Sequence, residues 1–328
     1  MKQVIHTSGP KMDFKGAPHL AEWIGSVREA AAEYLVERPP VQIVTPNGDR
    51  NPFGFLFAKG ARDSALIAGD ANRVLGRMPD AVFRTCVTSP PYWSLRDYHI
   101  DGQIGLESSV IDYVRNLART FEGVRRVLRD DGTLWLNIGD SYTSGGRTWR
   151  APDKKNPVRA MKVRPPTPDG LKPKDLIGIP WRLAFALQEA GWYLRADLIW
   201  NKPNCQPESV QDRPTRSHEY LFLFSKSANY YYNAKAVRGP NKRNLRTVWD
   251  IYTQAYKAAH FATFPPALVA PCVALTSEPG DLVLDPFIGS GTTGLVAHDM
   301  GRRFVGVELN PEYVAIAERR LNGSVKLL

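Results

Sequence analysis

The stretch "DLVLDPFIGSGTTGLVAHDMGRRFVGVELNPEYVAIAERRL", residues 281–321, decides the fold. It reads as a strand, a glycine-rich turn, a helix, a second strand and a second helix whose start is marked by Asn310 and Pro311. Gly289 and Gly291 let the backbone turn sharply and approach a ligand closely, while Glu308, at the end of the second strand, can accept hydrogen bonds from a ribose diol. The pattern is that of a pocket for an adenosine-type cofactor. Its "GSGTTG" also satisfies the G-x-G-x-x-G of dinucleotide-binding domains, which taken alone is a weak signal.

Chain order separates the two cofactor classes. A dinucleotide-binding domain starting at Asp281 needs several further β-α units beyond Glu308, yet only residues 309–328 remain. The rest of the sheet must therefore come from upstream, and the upstream pattern supplies it. From residue 64 the chain reads as a short strand "ALIAGD", a helix around "ANRVLGRM", and the strand "AVFRTCVTS". The helix "SVIDYVRNLARTFEGVRRVL", closed by "RDDG", then leads to the strand "TLWLNIGD". Further on come the helix "PWRLAFALQEAG" and the strands "YLRADLIWNK" and "EYLFLFSK". Alternation of β and α segments implies a mostly parallel sheet with helices on both faces. Residues 1–60 hold one helix-like piece, 19–38, and are read as an N-terminal extension; residues 61–328 are read as the α/β domain.

The strand at 81–89 ends in "VTSPPYW" (87–93), two prolines flanked by a serine and two aromatics. In a doubly wound sheet the loops at the carboxyl ends of neighbouring strands converge on one crevice, so Ser89 and Asp285 are expected to share it.

Charge adds a partner class. The net charge of +10 is carried by two segments: residues 141–180 hold nine Lys/Arg against three Asp/Glu, and residues 233–257 hold six against one. The first, rich in Pro and Gly without periodicity, reads as a long surface loop. Interleaved with Trp149, Trp249, Tyr252 and Tyr256, both favour a polyanion partner. Basic insertions are placed at 141–175 and 233–257. The three cysteines form no C-x-x-C and the six histidines no metal-binding spacing, so no metal is expected. With no run of about 18 apolar residues and no apolar leader at the N-terminus, the chain is expected in the cytoplasm, away from membranes.

Taken together, "TSPPYW" (88–93), "HFATFP" (260–265), "DPFIGSGTT" (285–293) and "FVGVELN" (304–310) closely resemble the amino-group DNA methyltransferases of the beta arrangement, in which the catalytic motif precedes the cofactor motif. The resemblance spans roughly residues 64–320. It implies an α/β, circularly permuted Rossmann-like fold that uses S-adenosylmethionine, with the basic segments as DNA-recognition insertions. It also implies double-stranded DNA as substrate, and it allows a homodimer and a cognate restriction endonuclease as partners.

What the resemblance implies for the diproline step is chemical. The exocyclic amine of cytosine or adenine is a poor nucleophile because its lone pair is delocalised into the ring, so the site must accept its protons. Those roles fall to the Ser89 side chain and the Pro90 carbonyl, held extended by Pro91, while Tyr92 stacks on a flipped base and Trp93 supports that wall on the DNA side. By the same resemblance Asp285, Pro286, Phe287, Gly289, Gly291 and Thr292 form the cofactor loop, Glu308 the ribose ligand and Asp70 the acidic residue near adenine; Phe261 and Thr263 close over the methionine part. Serine in "SPPY" is commoner in cytosine-N4 enzymes and aspartate in adenine-N6 enzymes, which tilts the expectation to N4.

For DNA, Lys154, Lys155, Arg159 and Lys162 are expected on phosphates, and Arg238, Asn241, Lys242, Arg243 and Arg246 in "RGPNKRNLR" on bases. Two rivals make different predictions. A nicotinamide-dependent dehydrogenase would bind NAD, and a non-catalytic DNA-binding module would bind DNA without regard to S-adenosylmethionine.

Overall fold

Apolar runs that turns separate in the sequence lie side by side in the computed structural model, which describes residues 41–46, 53–143, 165–238, 244–254 and 264–323. In chain order the described elements are β1 (Gln42–Val44), α1 (Gly54–Phe57), β2 (Ala65–Ala68), α2 (Ala71–Leu75), β3 (Phe83–Thr88), α3 (Val110–Val127), β4 (Leu128–Ile138) and α4 (Ile179–Glu189). They continue with β5 (Tyr193–Asn201), β6 (His218–Ser225), β7 (Val248–Asp250), α5 (Pro266–Thr276), β8 (Leu282–Asp285), α6 (Thr292–Asp299), β9 (Arg303–Glu308) and α7 (Pro311–Gly323). The strands form one sheet in the order β1-β2-β9-β8-β3-β4-β6-β5-β7. Only β6 runs antiparallel to its neighbours among the described residues.

Residue alternation builds a core on each face. In β8, Leu282 and Leu284 join the layer containing residues of α1–α4, while Val283 between them joins the layer of α5–α7; Phe304 and Val305 of β9 divide the same way. Both faces are covered, so these strands read as continuous apolar runs. Helix α3 buries Val110, Tyr113, Leu117, Phe121, Val124 and Val127, a single face at helical spacing. Its start is fixed by Ser109, whose Oγ accepts from the Asp112 N–H at 3.1 Å.

Four features depart from the sequence expectation. First, the boundary near residue 60 falls inside the folded body: β1 is an edge strand paired with β2, and Phe53 and Leu56 are fully buried. A three-residue strand is too short to show a period. The helix-like piece at 19–38 lies outside the described residues.

Second, 233–257 is not simply a basic insertion. The Asn233 N–H donates to the Leu275 carbonyl, β7 extends the sheet, and Trp249 is buried against Trp135 with ring centroids 6.3 Å apart. Trp249 is thus a core aromatic rather than a DNA-facing one. Third, the expected loop at 141–175 is pinched at its base, where the Thr143 N–H donates to the Asp175 carbonyl and the Ile177 N–H to the Ser141 carbonyl. Fourth, α5 was not legible, because it is buried along its whole length and has no polar face to set a period.

Candidate active site

The carboxyl ends of the parallel strands bring Asp70, Glu308, Asp285, Ser89 and Asn137 to one edge, and antiparallel β6 adds Glu219 there at its start. The edge has two halves, joined where the Thr88 hydroxyl donates to Asp285 Oδ1 at 2.6 Å.

One half follows β8 and β9. Asp285 Oδ1 also accepts from the Phe287 N–H at 3.0 Å, whereas Oδ2 is buried with no partner among the described residues. Burial pushes the Asp285 carboxyl up to about 6, against the pull of its bonds from Thr88 and Phe287. Glu308 accepts from the Gly289 N–H at 2.9 Å and the Asn310 N–H at 2.8 Å, and burial pushes it up to about 7. Gly291 starts α6 at φ +86°, in the left-handed region, where a Cβ would also press on Ala317 and Leu321.

The other half follows β3, β4 and β6. Ser89 Oγ donates to Tyr92 Oη at 3.3 Å, and Tyr92 Oη donates to Glu219 Oε2 at 2.6 Å. Asn137 Nδ2 reaches the same Glu219 oxygen at 3.2 Å, and Lys202 forms an ion pair with Oε1. Tyr113 Oη donates to the Pro91 carbonyl at 2.7 Å, anchoring the diproline step to α3. Gly139 makes room for the Tyr92 ring, since a Cβ there would lie 2.7 Å from Tyr92 Cε2. Burial, and then Glu219, raises the Tyr92 phenol well above its ordinary range. Burial alone would also raise Glu219, but Lys202 and the bonds from Tyr92 and Asn137 outweigh it and hold the carboxyl below its usual value.

A family model described as DNA methylase, of the N6/N4 methyltransferase type, matches residues 83–319. The chain belongs to this DNA methylase family. It is 62% identical over 264 residues to the type II methyltransferase M.Cfr9I of Citrobacter freundii, covering 79% of this chain and 88% of that one. Against M.SmaI of Serratia marcescens, also a type II methyltransferase, it is 59% identical over 266 residues, covering 79% and 91%. Among solved structures it resembles TTHA0409 of Thermus thermophilus, determined with S-adenosyl-L-methionine, at a TM-score of 0.56 and 26% identity, covering 80% and 96%. The cytosine-N4-specific PvuII DNA methyltransferase matches in fold at a TM-score of 0.60 and 24% identity, covering 78% and 85%.

This DNA methyltransferase therefore uses S-adenosylmethionine as methyl donor, and its β8–β9 half suits that group. The unpartnered, buried Asp285 Oδ2 calls for a cationic donor such as the cofactor's ammonium, and Glu308 presents a carboxylate beside the glycine turn. Of the other cofactor residues expected from sequence, Pro286 and Phe287 lie in this turn, and Asp70 follows Gly69, whose N–H donates to the Glu308 carbonyl at 2.9 Å, with one oxygen capping α2 through the Arg73 N–H.

Two assigned residues have structural partners of their own. The Thr292 hydroxyl is buried and accepts from Arg320, so it fastens α6 to α7. Trp93 is 4% exposed, packs in the core and donates its indole N–H to the Glu107 carbonyl at 2.9 Å, behind the Tyr92 side of the site. Arg238 and Arg246 are exposed, with Arg246 just before β7. Phe261, Thr263, Lys154, Lys155, Arg159, Lys162, Asn241, Lys242 and Arg243 lie outside the described residues.

Glu219, Lys202, Asn137 and Tyr113 had not been assigned from sequence. The polar run "SHEY" (217–220) at the start of the strand "EYLFLFSK" carries no spacing to the catalytic motif.

Proposed function

We propose that this methyltransferase modifies the N4 amine of cytosine in duplex DNA, on a base rotated out of the helix. The observation that carries the reading is Ser89: a neutral acceptor, placed by β3 next to the strand that ends in Asp285 and linked to it through Thr88. Bound S-adenosylmethionine supplies an electrophilic methyl group on a sulfonium sulfur. The chain's part is to orient the amine, with Ser89 Oγ and the Pro90 carbonyl accepting hydrogen bonds from its two N–H groups so that the nitrogen lone pair points out of the ring's conjugation; on transfer the cofactor leaves as S-adenosylhomocysteine and the methylated amine releases one proton. Pro91 holds the Pro90 carbonyl extended, and the bond from Tyr113 steadies the step. Asp285 takes the cofactor's ammonium and Glu308 its ribose hydroxyls, while the Tyr92 ring offers a stacking surface. Serine in place of aspartate at position 89 favours cytosine over adenine.

Because the relatives at 62% and 59% identity are type II methyltransferases, the expected setting is a restriction-modification system with a cognate endonuclease. Arg238, Arg246 and the basic residues of 144–164 and 239–243 are proposed to hold the duplex. Nucleoside mass spectrometry of DNA methylated by the purified protein tests the base directly: N4-methylcytosine is expected, and N6-methyladenine would overturn the choice. Ser89→Ala should lower single-turnover methyl transfer by about 100-fold or more with S-adenosylhomocysteine affinity kept, whereas full activity would remove Ser89 from the chemistry.

A further inference from the structure

We infer that Glu219, clamped by Lys202, is a positioning residue that sets the direction of the hydrogen bonds through Tyr92, so that Ser89 Oγ can only accept from the target amine. The inference rests on the reading of Ser89 as an acceptor and explains how the fold enforces it. A serine hydroxyl is ambivalent: it can donate to a ring nitrogen as readily as it accepts from an amine. A carboxylate, in contrast, only accepts.

With Glu219 Oε2 at 2.6 Å, the Tyr92 proton is committed to it. Tyr92 Oη then has only lone pairs left, and Ser89, 3.3 Å away, must spend its own proton there. What remains on Ser89 Oγ is acceptor capacity, which suits an amine. Asn137 does not reverse the chain: its amide N–H groups go to Glu219 Oε2 and to the Tyr220 carbonyl at 3.1 Å, and its Oδ1, 3.4 Å from Tyr92 Oη, is only a second, longer acceptor for the phenol.

The direction holds only while Glu219 is ionised. Lys202 reaches it from the end of β5, with its ammonium 4.2 Å from the Trp200 ring centroid, and Tyr92 and Asn137 reach it from β3 and β4. On its own strand and the loop before it lie His218 and Arg216, and Tyr113 stands behind Tyr92. Burial would neutralise Glu219; the Lys202 charge and the hydrogen bonds keep it ionised.

Single-turnover methyl transfer, with S-adenosylhomocysteine and DNA affinities measured alongside, tests this on the full chain. Glu219→Gln restores ambivalence and should slow transfer about 10- to 100-fold. Tyr92→Phe keeps the ring and cuts the chain, so it should slow transfer similarly, and the double variant should be no slower than the slower single, since the residues act as one unit. Cofactor and DNA affinities should stay within about twofold.

Lys202→Met supplies a readout that a purely structural role would not move. Without the ammonium, burial raises Glu219, so activity present above its pKa is lost at a higher pH on acidification than in the wild type. Wild-type rates in both Glu219→Gln and Tyr92→Phe, with Ser89→Ala inactive, would overturn the inference alone. A wild-type rate in Ser89→Ala would overturn the acceptor reading and this inference with it. Should Glu219→Gln fail to fold, Tyr92→Phe decides.

Discussion

Asp285→Asn tests the cofactor half of the site, because its effects on binding and on stability should not run together. The substitution keeps an oxygen for Thr88 and the Phe287 N–H but puts an amide nitrogen where Oδ2 lies buried and unpartnered. Near pH 7.5 the wild-type carboxyl, with its pKa raised to about 6, is ionised and available to an ammonium group. A hydrogen bond to a charged group contributes about 1.5–3 kcal/mol, so losing it should weaken S-adenosylhomocysteine binding roughly 10- to 150-fold.

Without ligand, the sign is set by linkage. A raised carboxyl pKa means that the native state binds protons more tightly than the unfolded state, so stability is lost as pH rises from the unfolded value toward about 6. The shift corresponds to a burial penalty on the order of 3 kcal/mol above pH 6, which Asn removes while adding an unpaired amide of comparable cost. The ligand-free melting temperature should therefore change little. Calorimetry with S-adenosylhomocysteine and thermal denaturation of the ligand-free protein measure the two quantities. Binding within about twofold of wild type, together with a large drop in melting temperature, would refute the argument and make Asp285 a structural anchor for Thr88.

Three further outcomes are expected. S-adenosylhomocysteine affinity should fall as pH drops through about 7 and then about 6, where Glu308 and Asp285 take up protons in the ligand-free protein, and an affinity flat across that window by calorimetry would contradict their roles. Trp93→Phe should lower stability by about 1–3 kcal/mol through the lost bond to the Glu107 carbonyl, while DNA affinity and its salt dependence stay unchanged; a loss confined to DNA binding would restore Trp93 as a contact. Neutralising Lys154, Lys155, Arg159 and Lys162 together should weaken binding to all duplexes and flatten the slope of log affinity against log salt by about 0.9 per lost phosphate contact, as titrations at several salt concentrations would report. An unchanged slope with altered sedimentation would point to an oligomer interface instead.

Local chemistry made part of this protein readable from sequence alone. The glycine turn at 289–291, the acid closing β9 and the diproline after β3 are short-range signals, since each depends on what a few consecutive residues can do with their backbone. Motif order pointed to a permuted sheet, with the diproline strand ahead of the cofactor strand, and the sheet order shows it. Tertiary structure decided the rest, where the deciding partner is far away in sequence. Trp93 and Trp249 look alike to Tyr92 and Tyr252 in composition, yet packing buries both indoles in the core. The three residues of β1 have no period of their own, and pairing with β2 alone makes them strand. Glu219 lies 127 residues from Tyr92, and only antiparallel β6, returning beside β4, carries its carboxylate to the phenol. No local rule encodes that contact, because hydrogen-bond direction at Ser89 is set by a charge that the sheet order, not the neighbouring sequence, brings within reach.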